Sequence, residues 1–295
     1  MYEIAMLLEG IWFQFKQIAP YWASGLIAGS IVSVYLSEKI TEKMTRTGSG
    51  KFRLILLCLA SVLGIVSPLC MYGTVPIIAA LGRKNVPQHL LASFMVSSIL
   101  LNQNLLIMTF ALGTGIALAR LALCFISGVL AGILVYLFFQ NKTLFALDRF
   151  TDDSQRTQEK KIKKFFPDLF KAIRITFPYL LLGITLTALF DRYVPPEWIS
   201  SIFGAKRGLG VLFATTLSIP LYACGGGTIP LINAWMQSGM GAGDAMSFML
   251  AGPALKINNL SAVKMILGAK HFFIYIAYSL VFAILSGLIL NLFLN

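Results

Sequence analysis

The nine residues CMYGTVPII at positions 70–78 recur as CGGGTIPLI at positions 224–232, a shift of 154 positions. Without any gap, the same shift places Ser93 on Ser247 within a matching Ser-Phe-Met triplet. A chain assembled from two related halves is typical of many transporter folds. The sequence therefore predicts two structural repeats that together cover nearly the whole chain.

The composition excludes a soluble enzyme. The 295 residues are 57% hydrophobic and 12% charged, with a mean hydropathy of +0.79, whereas an ordinary soluble domain has roughly 25% charged residues. A helix needs about 20 apolar residues to cross a bilayer. The sequence therefore predicts an all-α polytopic membrane protein. Its stretches without Asp, Glu, Lys or Arg are 17–37, 54–82, 90–119, 121–141, 208–243 and 272–295, with a shorter one at 175–190.

The positive charge is concentrated between the apolar stretches. Of the 24 basic residues, 14 lie in residues 39–53 and 142–174, which the positive-inside rule places in the cytoplasm. Acidic residues are interspersed in the second loop, which favours a solvated linker over a nucleic-acid site. If both loops are cytoplasmic, the chain crosses an even number of times between them. This count favours repeats of inverted topology.

These boundaries divide the chain into three parts. Residues 1–141 form a first transmembrane repeat, and residues 175–295 form a second one. Residues 142–174 form a basic cytoplasmic linker that includes the start of a second amphipathic helix.

Each repeat contains two predicted interruptions of its helices. Proline and glycine disfavour a smooth helix at Gly73–Pro76 and at Gly225–Pro230. Polar residues interrupt a second apolar stretch of each repeat at 102–104 and at 252–259. Unpaired backbone groups are costly in lipid unless they line a cavity or meet a ligand. We therefore expect broken or re-entrant helices whose ends meet near the membrane midplane and form a site.

Two cysteines occupy equivalent positions just before predicted breaks. Cys70 and Cys224 would lie at helix N-termini, which favour the thiolate that binds soft metals and metalloids. Simple packing is the alternative, because buried cysteine often behaves as a small hydrophobic residue. Cys58 and Cys124 have no counterpart in the other repeat, so we expect them to pack in the core. No cysteine spacing predicts a metal site.

Polar residues at the second interruptions complete the candidate site. Lys256 is interpreted as the only basic residue well inside a membrane-depth segment, where it either binds an anion or snorkels to water. Asn102 occupies the equivalent position. Asn104 and Asn258 recur in both repeats, and their amides either cap a broken helix or contact a ligand. For Ser93 and Ser247, close helix packing is favoured over substrate binding.

Chemistry that needs acidic residues has little support. No Asp or Glu lies near the middle of an apolar stretch, so neither acid–base catalysis nor a buried carboxylate proton relay is expected. His89 and His271 lie at the edges of stretches, where a structural role is favoured. No phosphate-binding loop is present, and hence ATP hydrolysis is not expected. We predict no catalytic residue, no resident metal and no cofactor.

The chain resembles the ArsP-type predicted permeases of bacteria, a family that includes exporters of trivalent organoarsenicals. The resemblance rests on the doubled signature at 70–78 and 224–232, the Ala-Gly-Pro-Ala segment at 251–254, and the Pro-Tyr pairs at 20–21 and 178–179. It implies a permease of the bacterial cytoplasmic (inner) membrane. It also implies that the signature cysteines are candidate ligands for a thiophilic substrate.

The preferred interpretation is a secondary permease that moves a small thiophilic substrate, such as a trivalent organoarsenical, by alternating access of its two halves. A small sulfur-containing anion or a metal species is the alternative substrate. A thiol redox protein that uses Cys70 and Cys224 and a passive channel are the alternative functions. The expected partners are the substrate and the lipid bilayer, with no nucleic acid and with homo-oligomerisation left open. The candidate substrate-binding residues are Cys70, Gly73, Thr74, Pro76, Asn104, Cys224, Gly225, Gly226, Gly227, Thr228, Pro230, Lys256 and Asn258.

Overall fold

The computed structural model describes most of each predicted repeat. The described residues are 50–67, 71–83, 85–139, 143–146, 210–222, 228–237 and 239–294, together with single positions within 9–27 and 170–181. Within these ranges the regular structure is helical, and no strand occurs in them. The predicted all-α class is therefore confirmed for the described part of the chain.

Each half contributes a series of helices in the same order. The helices of the first half are α1 (Gly50–Val66), α2 (Met71–Arg83), α3 (Gln88–Leu100), α4 (Gln103–Thr109), a 3₁₀ turn (Phe110–Leu112) and α5 (Thr114–Phe138). The helices of the second half are α6 (Gly210–Leu221), α7 (Thr228–Gln237), α8 (Ala242–Leu255) and α9 (Ile257–Leu294). Helix α9 is kinked at Gly268, whose φ of 68° and ψ of 174° are not helical.

The turns that follow α2 and α7 are the same at atomic detail. Asn85 and Gly239 are equivalent at the shift of 154, and both have positive φ angles, of 58° and 104°. The amide of Val86 donates to the carbonyl of Leu81, and the equivalent amide of Met240 donates to Trp235. This is the Schellman pattern, in which a left-handed residue closes a helix. The duplication read from the sequence thus extends to backbone hydrogen bonds.

Helix packing repeats the same contacts in both halves. The Ser93 hydroxyl donates to the carbonyl of Leu57 over 3.1 Å, and Ser247 donates to Val211, the residue equivalent to Leu57, over 3.4 Å. An added Cβ at Gly287 would touch Ser247 and Val211. These bonds between neighbouring helices support the packing role that we expected of both serines.

Helices α3 and α8 form the centre of the molecule. Every residue of α8 from Gly243 to Leu255 is buried, as are most residues of α3. A helix that is apolar and buried all round belongs to a core rather than to a surface. The two helices contact each other, α1 and α5 pack on α3, and α6 and α9 pack on α8. The ends of α3 and α8 therefore lie between the two halves.

Both central helices end at equivalent breaks. The carbonyl of Asn102 accepts from the amide of Leu106, and the carbonyl of Lys256 accepts from Leu260, both over 2.9 Å. The breaks predicted at 102–104 and 252–259 are confirmed. The residues outside the helices are Leu101 and Asn102 in the first half and Lys256 in the second.

The break predicted at Gly73–Pro76 is wrong. Helix α2 runs from Met71 through both residues to Arg83. Pro76 is the sixth residue of α2, so its missing N–H removes one hydrogen bond close to the end where the first four amides have no partner anyway. In the second half Pro230 lies in the first turn of α7, and residues 223–227 lie outside the described part.

Two described helical segments are long and apolar enough to cross a membrane, namely α5 and residues 259–293 of α9. Helix α3 and the segment Leu105–Leu112 are bent by 47° at their break and form a third candidate if they count as one span. The chain is thus a membrane protein. The inverted topology of the repeats stays a prediction, and the basic linker at 142–174 falls largely outside the described residues.

Candidate functional site

A fully buried arginine connects the two halves of the molecule. Arg120 lies in the second turn of α5 with 0% of its surface exposed. Its Nη1 donates to the Thr109 hydroxyl over 2.7 Å and to the Met249 sulfur over 3.7 Å. Its Nη2 donates to the Met249 carbonyl over 3.2 Å and to the Tyr222 hydroxyl over 3.4 Å. Arg120 and Thr109 belong to the first half, and Met249 and Tyr222 to the second.

The Ala-Gly-Pro-Ala segment explains how α8 receives this side chain. Pro253 has no N–H, so the carbonyl of Met249, four residues earlier, lacks its usual helical donor. Arg120 supplies a donor in its place. At Gly252 a Cβ would collide with the Tyr222 ring. The absence of a side chain at Gly252 therefore lets Tyr222 approach α8.

Arg120 corrects the prediction that Lys256 is the only basic residue at membrane depth. The sequence shows one charge between the uncharged stretches 90–119 and 121–141. By the sequence alone, that charge marks a boundary between two spans. Helix α5, however, continues through it from Thr114 to Phe138. The signal that was missed is that 25 helical residues around a single arginine suffice for one crossing.

Lys256 lies at the break that ends α8. It is 3% exposed, and its amide donates to the carbonyl of Gly252 over 2.9 Å. The snorkelling alternative requires the ammonium group to reach water. A residue exposed to this small extent does not favour that alternative. The structure therefore places a second cationic residue beside the helix that accepts Arg120.

The first signature packs against the central helix of its own half. Gly73, Thr74 and Pro76 are all buried in α2. The Thr74 hydroxyl is 3.0 Å from the Ser98 hydroxyl, one turn before the Asn102 break. The equivalent threonine of the second half, Thr228, is 2% exposed at the start of α7. Both signature threonines are thus buried.

Several candidate residues lie outside the described residues, and their role stays a prediction. The helices include the backbones of three of the candidates, whose side chains are not described. The fully undescribed candidates are Cys70, Cys224, Gly225, Gly226 and Gly227, and those with undescribed side chains are Asn104, Pro230 and Asn258. Helix α4 is capped by Asn102, whose side-chain oxygen accepts from the amide of Leu105 over 2.9 Å.

The cysteines and histidines for which a structural role was expected make packing contacts. Cys124 is buried and Cys58 partly buried, and both are free thiols. His89 stacks edge-on against Tyr136, and His271 against Phe139. Across the described parts of the chain, no group of three His, Cys, Asp or Glu side chains is arranged to hold a metal.

A lateral cleft of about 530 Å³ lies between the halves at another place. Helices α3, α5 and α9 line it with mostly apolar side chains, including Leu134, Phe138 and Ile274. At one edge the Tyr278 hydroxyl donates to the Ser127 carbonyl over 2.6 Å and so ties α9 to α5. Leu134, Phe138 and Ile274 are also exposed on the outside of the molecule. Such a surface suits lipid contact more than recognition of a polar substrate.

Comparison with known proteins connects this architecture to transport. A family model described as a predicted permease, ArsP_1, matches residues 15–292. A Streptococcus mutans protein named putative two-component membrane permease complex subunit is 24% identical over 92% of this chain and 90% of its own length. The UPF0718 protein YcgR of Bacillus subtilis is 22% identical over 98% of this chain and 95% of its own length.

A third relative matches only part of the chain. A UPF0718 protein of Methanocaldococcus jannaschii is 27% identical over 47% of this chain, and the match spans 38% of that protein's own length. No solved structure matches the chain.

Proposed function

The chain belongs to the family of ArsP-type predicted permeases, and from that premise we propose that it is a secondary permease that carries a small substrate between its two halves. The observation that supports this proposal most directly is the Arg120 cluster. It joins α4 and α5 of the first half to α8 and to Tyr222, the residue after α6, in the second half. Movement of one half against the other would open such a junction to either side of the membrane.

The proposed substrate is small and thiophilic, and a trivalent organoarsenical is the candidate that the family resemblance suggests. Its soft arsenic centre would bind the thiolates of Cys70 and Cys224. The signature threonines and the start of α2 and α7 would complete this wall of the site.

A small sulfur-containing anion is the second candidate substrate. The observation that favours it is the burial of Lys256, which is 3% exposed beside the break. A cation at membrane depth is costly and usually serves function. Asn104 and Asn258 would contribute amides to the same wall.

The proposal extends to the organisation of the protein in the cell. Two repeats of inverted topology, at residues 1–141 and 175–295, would span the bacterial inner membrane several times, joined by the basic cytoplasmic linker at 142–174. The name of the Streptococcus mutans relative describes it as a subunit of a two-component membrane permease complex. We therefore include a second membrane component among the partners to test, beside a homo-oligomer.

Substrate counterflow tests the transport function. Purified full-length protein is reconstituted into liposomes loaded with unlabelled thiosulfate or with a trivalent phenylarsenical, and entry of the labelled compound is followed. A carrier exchanges substrate across the membrane, so we expect transient accumulation that requires substrate inside. Flux that ignores the internal substrate would indicate a channel, and no exchange of either compound would contradict the proposal.

The cysteines are tested in the same liposomes. Cys70→Ala and Cys224→Ala should each reduce exchange of the arsenical at least tenfold, whereas Cys58→Ala, which removes a partly buried thiol of α1, is the matched control. Rapid, reversible formation of a Cys70–Cys224 disulfide under mild oxidant would instead support the redox alternative, because a disulfide requires Cα atoms within roughly 7 Å.

A further inference from the structure

The charge of Arg120 has no acidic partner among the described residues. In the described helices between residues 50 and 294, Asp244 is the only acidic residue. Its carboxylate accepts from the Asn291 amide over 3.0 Å and lies against Gly210 and Gly241. The acceptors of Arg120 are two hydroxyls, a carbonyl and a thioether, all of them neutral. Among the described residues, therefore, no negative charge compensates that of the guanidinium group.

One donor of this guanidinium group is unused. Arginine has five N–H groups, and the Nη1 and Nη2 contacts account for four of them. The Nε–H of Arg120 is buried and makes no hydrogen bond to the described residues, and the Cys124 thiol, one turn further along α5, is the neutral group that lies beside the guanidinium. A guanidinium group stays charged in proteins. A buried donor without an acceptor costs free energy that a bound acceptor recovers.

We propose that Arg120 is the anion-binding residue of the substrate site, and that the substrate is a small anion that accepts the Nε–H. This inference rests on the proposed transport function and selects the second of its two candidate substrates, the small anion. A charge-assisted hydrogen bond is shorter and stronger than a neutral one. An anion thus satisfies the unused donor and neutralises the charge in one step.

The position of Arg120 suits a substrate that is passed between the halves. Its contacts are Thr109 of α4 in the first half, and Met249 of α8 and Tyr222, which follows α6, in the second half. The arginine contacts Tyr222, which precedes the second signature by two residues in the sequence. The Met249 carbonyl and the Tyr222 hydroxyl hold the guanidinium plane without neutralising it. The charge is thereby left to the ligand.

Arginine-selective ¹⁵N NMR of the wild-type chain tests the proposal without relying on a variant that may misfold. The Arg120 Nε–H resonance, identified by its loss in Arg120→Lys, is followed while sodium thiosulfate or sodium sulfite is added at constant ionic strength. We expect a saturable shift of this resonance with either anion. An unmoved Arg120 resonance would overturn the proposal, whether or not the anions bind elsewhere.

Thermal stabilisation by thiosulfate gives the matching affinities. Arg120→Lys should keep the charge and weaken binding roughly tenfold, and Arg120→Gln should weaken it roughly hundredfold. Arg53→Gln is the control, because the Arg53 guanidinium lies 3.9 Å from the Tyr136 ring centre at the start of α1, away from the cluster. Equal affinities for wild type and Arg120→Gln would overturn the proposal.

The two proposals fail in different ways. If the arsenical shows counterflow and the Arg120 Nε–H resonance does not shift when anions are added, the anion site is refuted and the transport function stands. An Arg120 resonance that shifts with thiosulfate, together with no counterflow of either compound, would support the anion site and refute secondary transport.

Discussion

The two halves are the same in their packing and different at their breaks. Equivalent residues repeat the turns after α2 and α7 and the serine bonds between helices. At the ends of the central helices, however, Asn102 corresponds to Lys256, and Ile99 corresponds to Pro253. The helix packing, which we call the frame, is therefore duplicated, whereas the residues at the ends of the central helices, which we call the centre, are not.

The difference indicates which features are structural and which are functional. In the first half Ile99 keeps its N–H for the carbonyl of Met95, whereas in the second half Pro253 leaves the carbonyl of Met249 to Arg120. One half thus supplies the cation and the other half the acceptor that orients it. Such a junction can form only once in the molecule, although the frame forms twice.

We expect the largest effect from adding a methyl group at two glycines, one in each half, where neighbouring helices lie in close contact. A Cβ at Gly287 would lie 2.7 Å from the carbonyl of Gly243, and one at Gly132 would lie 2.9 Å from the equivalent carbonyl of His89. Backbone atoms cannot turn aside, so each alanine should destabilise the protein by about 3 kcal/mol. The measurement is the temperature of heating at which half of the purified protein is lost from its monodisperse peak in size-exclusion chromatography.

Gly115→Ala is the matched control, because nothing lies within 4 Å of a Cβ there and the residue belongs to the same helix as Gly132. If Gly132→Ala and Gly287→Ala behave like this control, the two halves are not packed by the same close contacts.

The frame was predictable because it depends on local patterns. The repeat, the apolar stretches and the polar interruptions at Asn102 and Lys256 are visible in the sequence, and the structure has breaks at both positions. The break expected at Gly73–Pro76 was not found, because a proline in the second turn of a helix removes few hydrogen bonds. The rule for proline was sound, but its cost depends on where the helix begins.

The centre was less predictable because it depends on contacts between distant residues. Arg120 and Met249 are 129 positions apart, and nothing local marks them as neighbours. Arg120 also has no equivalent cation in the second half, so a search for duplicated residues passes over it. Internal symmetry of the sequence therefore reveals the duplicated packing residues but does not reveal Arg120, which occurs in one half alone.

The second effect concerns the charge at the break of the second half. Lys256→Asn gives this break the residue of the first half and should weaken thiosulfate binding roughly tenfold, because the buried positive charge at the break is lost. Binding is measured by thermal stabilisation of the purified protein. Lys264→Asn is the control, since Lys264 is exposed on α9, the helix that follows the break. Unchanged affinity in Lys256→Asn would mean that the breaks are equivalent after all.

The smallest effect concerns the break of the first half, where a neutral cap takes the place of the charge. Asn102→Ala removes the oxygen that accepts from the Leu105 amide over 2.9 Å and should destabilise the protein by about 1 kcal/mol. Asn102→Ser restores an acceptor and should recover most of that loss in the same thermal measurement. Neither variant should change the affinity for thiosulfate, because Asn102 carries no charge. A variant that keeps its stability and loses the anion would assign Asn102 to the site, and the contrast between the two breaks would then disappear.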